Sequence, residues 1–265
     1  MSDWFHNLPL EGMAFCVLLA AYLVSGGIYL VVTRLAFNER AGRAFKAVSP
    51  GMLPPLGIIF GLLAGFIVAE AWNDFERAKV AVATEASALR AVALLAETLP
   101  VDQKTRIHSL INRHIEEAVN QDWPAMRHQR ATFPTSSTAL FKALEGTLAL
   151  KPTDDSQRMV QQEIVKALRM AQASRIQRIV ISQSGISSVE WVVILLQGVC
   201  ALVAIAMVHS DNRLTCAIAL TLFATGFALS VLLISSYNHP FSGDNSADSD
   251  ILKQVMTSVS AATQP

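Results

Sequence analysis

Four stretches of the chain contain no Asp, Glu, Lys or Arg: residues 12–33, 47–69, 191–210 and 214–243. A helix crossing a hydrocarbon core of ~30 Å needs about 20 apolar residues, and each stretch meets that length. The pattern predicts a first membrane helix from Gly12 to Thr33, closed by Arg34. A second starts near Pro54 and ends at Trp72, a third runs from Trp191 to about Val208, and a fourth from about Leu214 to Tyr237. Trp72, Trp191 and Tyr237 stand at span ends, where amphipathic rings sit at headgroup level.

Between the second and third spans the period changes from uniformly apolar to striped. Phe75, Val82, Leu89 and Ala96 recur every seven residues, with Ala78, Glu85, Val92 and Leu99 on the partner positions. This is a helical stripe, and it continues from the second span with no Gly or Pro until Pro100. A second stripe (Ile107, Leu110, Ile111, Ile115, Ala118, Val119) stops at Pro124. A third (Leu140, Phe141, Leu144, Leu148) follows the cap-like run Thr135-Ser136-Ser137. A fourth (Val160, Ile164, Leu168, Ala171) follows Thr153, Asp154 and Asp155, which suit a helix N-terminus. Gly185 ends it, and Ser187 with Glu190 has capping-box spacing ahead of the third span. No stretch alternates with period two, so no strands are expected. The tail carries one weak stripe (Ile251, Leu252, Val255, Met256, Val259), read as a surface or docking helix or as a frayed end. The expected architecture is all-α: four transmembrane helices with a helical water-facing layer between the second and third. The divisions are 1–72 for the first two spans, 73–188 for the layer, 189–237 for the last two spans and 238–265 for the C-terminal element and tail.

Composition agrees. The chain is 52% hydrophobic and 16% charged, but outside the four stretches charge density returns to about a quarter, that of an ordinary soluble domain. This excludes a soluble enzyme and a disordered chain. Lys+Arg and Asp+Glu are both 21, so no basic excess exists to hold phosphates and a nucleic-acid partner is not expected. Residues 1–11 hold Asp3 and Glu11 and no Lys or Arg, unlike the basic start of a signal peptide. Cys16, Cys200 and Cys216 all fall within spans and read as small packing residues.

Candidate chemistry is sparse. No phosphate-binding loop, HExxH or CxxC is present. His108 and His114 are six apart, on different helix faces, and are read with the other histidines as solvated. No catalytic set, cofactor site or metal site is expected. The second span is the informative one. Gly57, Gly61, Gly65 and Ala69 form a small-residue ridge, the kind that lets helix backbones approach closely in lipid. Beside it run Phe60, Leu63 and Ile67, then Glu70 and Asp74 where the span meets water. Around a symmetry axis, this helix would present apolar gate rings (Phe60, Leu63, Ile67) and an acidic, ion-selecting mouth (Glu70, Asp74). The competing reading makes the ridge ordinary packing and pairs Asp74 with Arg77.

The stretch Gly57-Ile-Ile-Phe-Gly-Leu-Leu-Ala-Gly-Phe66, with Glu70-Ala-Trp-Asn-Asp-Phe-Glu-Arg-Ala78 and Thr84-Glu-Ala-Ser-Ala-Leu89, resembles the bestrophin-like proteins of bacteria. So do Pro240-Phe-Ser-Gly243 after the fourth span and Arg175 and Arg178 ahead of the third. Two positions depart from the expected pattern: Asn238-His239 precede the Pro-Phe pair in place of an acidic residue, and Ile186-Ser187 stand where a proline is expected. The resemblance implies a bestrophin-like fold, a ring of copies (a pentamer), a pore lined largely by the second helix, and an ion-channel role in the bacterial inner membrane. Animal bestrophins conduct anions, whereas Glu70 and Asp74 favour cations here. Orientation is contested. Arg34, Arg40, Arg43, Lys46 and Arg213 in the short loops place the helical layer outside by the positive-inside rule, while the resemblance places it in the cytosol, and the latter is adopted. The alternative function is a membrane-anchored sensor or scaffold whose helical domain binds a ligand or partner protein.

Overall fold

The computed structural model describes residues 9–36, 44–45, 47–131, 138–243 and 246–261. The Thr135-Ser136-Ser137 run and Arg40, Arg43 and Lys46 lie outside them. Among the described residues every regular element is helical: α1 (Leu10–Ala36), α2 (Leu53–Ala96), α3 (Val101–Glu117), α4 (Trp123–Arg127), α5 (Thr138–Leu148), α6 (Asp155–Gln183), α7 (Ser188–Val208), α8 (Arg213–Tyr237) and α9 (Asp250–Ala261). The chain forms two compact units, Met1–Asn73 with Ile186–Asn238, and Asp74–Gly185 with His239–Pro265. At 1.5 Å per residue the 44 residues of α2 run about 66 Å, twice a bilayer core, so its second half lies beyond the apolar span.

In the first unit α8 packs on α1 and α7, and α1 on α7. The four helices α1, α2, α7 and α8 are each long and apolar enough to cross a membrane. Their shared core holds Phe60, Ala64 and Ile67 of α2 with Ile194 and Leu202 of α7 and Leu220, Ala224, Phe227 and Ile234 of α8. The Phe60 ring lies 5.7 Å from both Phe223 and Phe227. The tightest approach is at Gly198, where a Cβ would fall inside the Phe227 ring. Gly198→Ala is therefore expected to lower stability by about 1–3 kcal/mol, as overpacked cores do, read as an earlier thermal unfolding of the detergent-solubilised protein. An unchanged midpoint would mean that the ring swings aside without cost.

Local chemistry sets the helix ends. Ser187 and Glu190 form the expected capping box at α7. Asp154 Oδ1 accepts the Gln157 N–H at 2.7 Å to start α6. Trp72 and Tyr237 meet edge-on at 4.9 Å. The two positions that depart from the family pattern are joined: Asn238 Oδ1 accepts the Ile186 N–H at 2.7 Å, so a neutral amide ties the start of the third span to the end of the fourth. Cys216 is buried and fits the packing role, but Cys200 is exposed.

The second unit is a helical layer. The α2 stripe is buried as its period requires, with Leu89 and Val92 clustered with Ile107, Ile111 and Ile115 of α3 and Ile164 and Leu168 of α6, and Val82 with Met126 of α4 and Ile179 of α6. Phe141 departs from the third stripe and is exposed. The tail docks rather than frays: α9 packs on α3 and buries Leu252 and Val255.

Candidate functional site

Two arrangements in the chain could carry function. The first is the membrane half of α2. Its expected gate face is turned inward: Phe60 is 8% exposed and Ile67 3%, and Leu63 is half-buried against the same core. Phe60 and Ile67 thus pack in the core of the chain's own bundle. The physical reason is size. The cluster of Phe223, Phe227 and small residues on α8 leaves room for these rings, and burying them inside the subunit satisfies the stripe without a neighbour. The glycine ridge faces the other way. A Cβ at Gly57, Gly61 or Gly65 would meet open space, so the ridge packs on nothing among the described residues.

The outward face instead carries Ile58, Leu62 and Phe66, exposed by 63, 58 and 71%. Four-residue steps put them on one line that ends at Glu70, itself exposed. Asp74 does not share that freedom. It is partly buried, its Oδ1 accepts from Arg77 at 3.1 Å and its Oδ2 from the Ser184 hydroxyl at 2.9 Å. The expected Asp74–Arg77 pairing is present, and Asp74 fastens α2 to the C-terminal end of α6.

The second arrangement is a buried ionic cluster in the helical layer. Glu85 of α2 accepts Arg178 of α6 through Nε at 2.8 Å and Nη2 at 3.2 Å. It also accepts His114 Nε2 of α3 at 2.9 Å. Asp122 accepts Arg175 through Nε at 2.9 Å and Nη2 at 3.0 Å, and lies 3.5 Å from Arg178 Nη2. Arg178 also sits 4.3 Å over the Trp123 ring. All five charged or titratable side chains are buried. Asp122 reaches the cluster because of Pro124. A proline has no N–H to close an α-turn, and here the chain widens into a π-turn over Ala118–Asp122, the Trp123 N–H bonding Ala118 five residues back. Such turns re-aim side chains and recur at functional sites.

Burial pushes the Glu85 carboxyl up, but Arg178 first and His114 second pull it further down, holding it at about 2 against an ordinary 4.5. A carboxylate with a depressed pKa stabilises the fold above its unfolded value and loses that contribution as pH falls through the folded one. The helical layer is therefore expected to lose stability between pH 4.5 and about 2. Glu85→Gln, already weaker at neutral pH, is expected to flatten that window in a pH series of thermal unfolding. A wild-type curve with no loss there would refute the assignment.

The cluster was partly signalled in the sequence. Glu85 is the one charge in the apolar partner stripe, and Arg175 and Arg178 belong to the family resemblance. The histidines gave the wrong impression. His108 and His114 are buried, not solvated; His108 Nε2 lies 3.1 Å from the Ala93 carbonyl. Both sit beside isoleucines of the α3 stripe, at positions turned towards the layer.

Four apolar helices with a separate helical layer define a four-span helical membrane protein. Residues 19–252 match the bestrophin-like domain, and the chain belongs to the bestrophin-like family. A bacterial bestrophin homolog from Klebsiella pneumoniae, solved as a variant, superimposes with a TM-score of 0.70 at 12% identity, over 95% of this chain and 99% of that one. Another variant of that homolog gives 0.68 at 14%, over 93% and 97%. A structure described as a membrane protein gives 0.67 at 14%, over 95% and 99%. At these identities the likeness shows the fold. No curated protein matches the chain.

Proposed function

We propose that this protein is a homo-oligomeric ion channel whose second transmembrane helix lines the pore. The observation that carries the reading is the line Ile58–Leu62–Phe66–Glu70 on α2. Three large apolar side chains and one carboxylate point away from a core that Phe60, Ala64 and Ile67 already fill. One chain has too few helices to enclose a wet path, but copies around an axis would turn this line into apolar rings followed by an acidic ring. Apolar constrictions gate by dewetting, and acidic rings select cations. A weak cation preference follows from Glu70. Asp74, neutralised by Arg77, adds less than its charge suggests.

Self-assembly is supported by the helical layer, which leaves Val80 and Leu94 of α2 and Met170, Ile176 and Val180 of α6 exposed. Apolar side chains clustered on two faces of a water-facing layer mark contact surfaces. Five copies, the inner membrane and a cytoplasmic helical layer complete the reading, by family likeness. The small-residue ridge of Gly57, Gly61 and Gly65 would let neighbouring copies approach closely beside the pore line.

The test is ion flux through purified protein in liposomes, potassium against chloride, with Glu70→Gln beside wild type. The expected result is wild-type flux favouring potassium and a loss of that preference in Glu70→Gln. Flux unaffected by the substitution would remove Glu70 from the mouth. No flux under any gradient would favour the membrane-anchored sensor or scaffold.

A further inference from the structure

The helical layer contains a cleft that neither the pore line nor the ionic cluster uses. It lies between α2 and the tail helix α9 and has a volume of about 240 Å3. Ala83, Ala86, Ser87 and Arg90 of α2 form one wall, and Ile251, Gln254 and Val255 of α9 form the other. Residues three and four apart share a helix face, so each wall is one face of its helix. On α2 that face carries only small side chains ahead of Arg90. Leu252 and Val255 seat α9 in the core of the layer, and the small α2 face leaves a gap beside them.

The cleft has an apolar floor and a polar rim. Ala86 and Val255 are buried, whereas Ala83, Ser87, Arg90, Ile251 and Gln254 are exposed. The Arg90, Ser87 and Gln254 side chains have no hydrogen-bond or ion-pair partner among the described residues. Carboxylates on the same two helices are engaged elsewhere. Glu85 holds Arg178 and His114, Glu97 holds Lys104, and Asp250 holds Lys253.

These side chains set the chemistry of a ligand. A guanidinium presents a planar fork of donors that matches a carboxylate with two parallel N–H···O bonds. A hydroxyl and an amide stand at the same rim to add neutral hydrogen bonds. Arg90 is the only cation lining the cleft, which suits a single negative charge. The Ala83, Ala86, Ile251 and Val255 surface suits an apolar body. The volume falls below the roughly 300–1,000 Å3 of pockets for drug-sized ligands, so the ligand is small.

We propose that the α2–α9 cleft binds a small monocarboxylate with an apolar body, Arg90 clamping the carboxylate and the apolar floor holding the rest. Binding ties the tail helix to α2. Nothing in this depends on flux, so it stands or falls separately from the channel reading.

The test is titration calorimetry of the full-length protein in a nonionic detergent, at neutral pH and fixed ionic strength, with benzoate as the probe. Benzyl alcohol keeps the ring without the charge, acetate keeps the charge without the ring, and inorganic phosphate reports a bare cationic surface. Benzoate is expected to bind saturably, and each of the other three several-fold more weakly. Arg90→Gln is expected to weaken benzoate binding about tenfold or more, as the loss of charged hydrogen bonds does. Ala83→Leu, which fills the cleft and leaves Arg90 in place, is expected to abolish it. Both positions are exposed, and surface substitutions of this kind rarely unfold a protein. Amide hydrogen exchange locates the site: benzoate should slow exchange over residues 250–256 in wild type and leave Arg90→Gln unchanged. The proposal is overturned by no saturable benzoate binding up to about 10 mM, or by phosphate, acetate or benzyl alcohol binding as tightly as benzoate. Benzoate affinity untouched by either substitution, or protection confined to other segments, would overturn it equally.

Discussion

Arg178→Met is expected to destabilise the helical layer by about 3–5 kcal/mol, the range for removing one partner of a buried ion pair. The methionine fills much of the arginine's volume, so the loss comes from charge. Glu85 would keep only His114, with its carboxylate sealed from water, and Trp123 would lose the cation lying 4.3 Å over its ring. Asp122, 3.5 Å from Arg178, retains Arg175 and suffers less. The double variant Glu85→Gln with Arg178→Met is expected to cost clearly less than Arg178→Met alone, because no uncompensated charge remains. Unfolding midpoints of the two single variants and the double give the coupling directly. Additive losses would mean that Glu85 is not held by Arg178.

The second large effect is expected in the membrane. Phe66 is 71% exposed on the outward face of α2, and in a ring of copies it would be the last apolar constriction before Glu70. Phe66→Ser replaces that apolar ring with hydroxyls that hold water. Flux is expected to rise several-fold at the same protein density, with selectivity left to Glu70. Phe60→Ser should act differently: its ring packs between Phe223 and Phe227, so the substitution opens a core cavity and costs about 3–5 kcal/mol. If Phe60→Ser raised flux and Phe66→Ser did nothing, the inward face would be the conducting one after all.

That contrast shows what the sequence could and could not reveal. Spans, stripes and caps were legible because each rests on a local rule: absence of charge, a period near seven, Ser187 three residues before Glu190. The orientation of α2 was not legible, because both of its faces are apolar. In a helix apolar all round, period alone leaves the rotation open. Three glycines in register drew the small-residue reading, yet the glycine that a close approach demands is Gly198, a lone one against the Phe227 ring. Glycine marks a tight contact only where a neighbour is present, and the neighbour here came from a helix about thirty residues further along the chain.

The ionic cluster was half legible for a similar reason. A charge in an apolar stripe, as at Glu85, signals a partner without naming it. The partners lie 29 residues away at His114 and 93 away at Arg178. Asp122 depends on a π-turn that Pro124 enforces, which regular helical spacing does not anticipate. The histidines read as solvated because six-residue spacing puts His108 and His114 on different helix faces, whereas the layer packs around both. Asn238, where the resemblance led us to expect an acid, accepts the Ile186 N–H, so here a neutral amide makes that tie.

The most direct test of the pore line is thiol accessibility in a background lacking Cys16, Cys200 and Cys216. Leu62→Cys and Phe60→Cys are each reconstituted in liposomes, and potassium flux is followed before and after a charged, water-soluble methanethiosulfonate reagent. The pore reading predicts block at Leu62→Cys and none at Phe60→Cys. Block at Phe60→Cys with Leu62→Cys untouched, or flux indifferent to both, would contradict a pore lined by the outward face of the second helix.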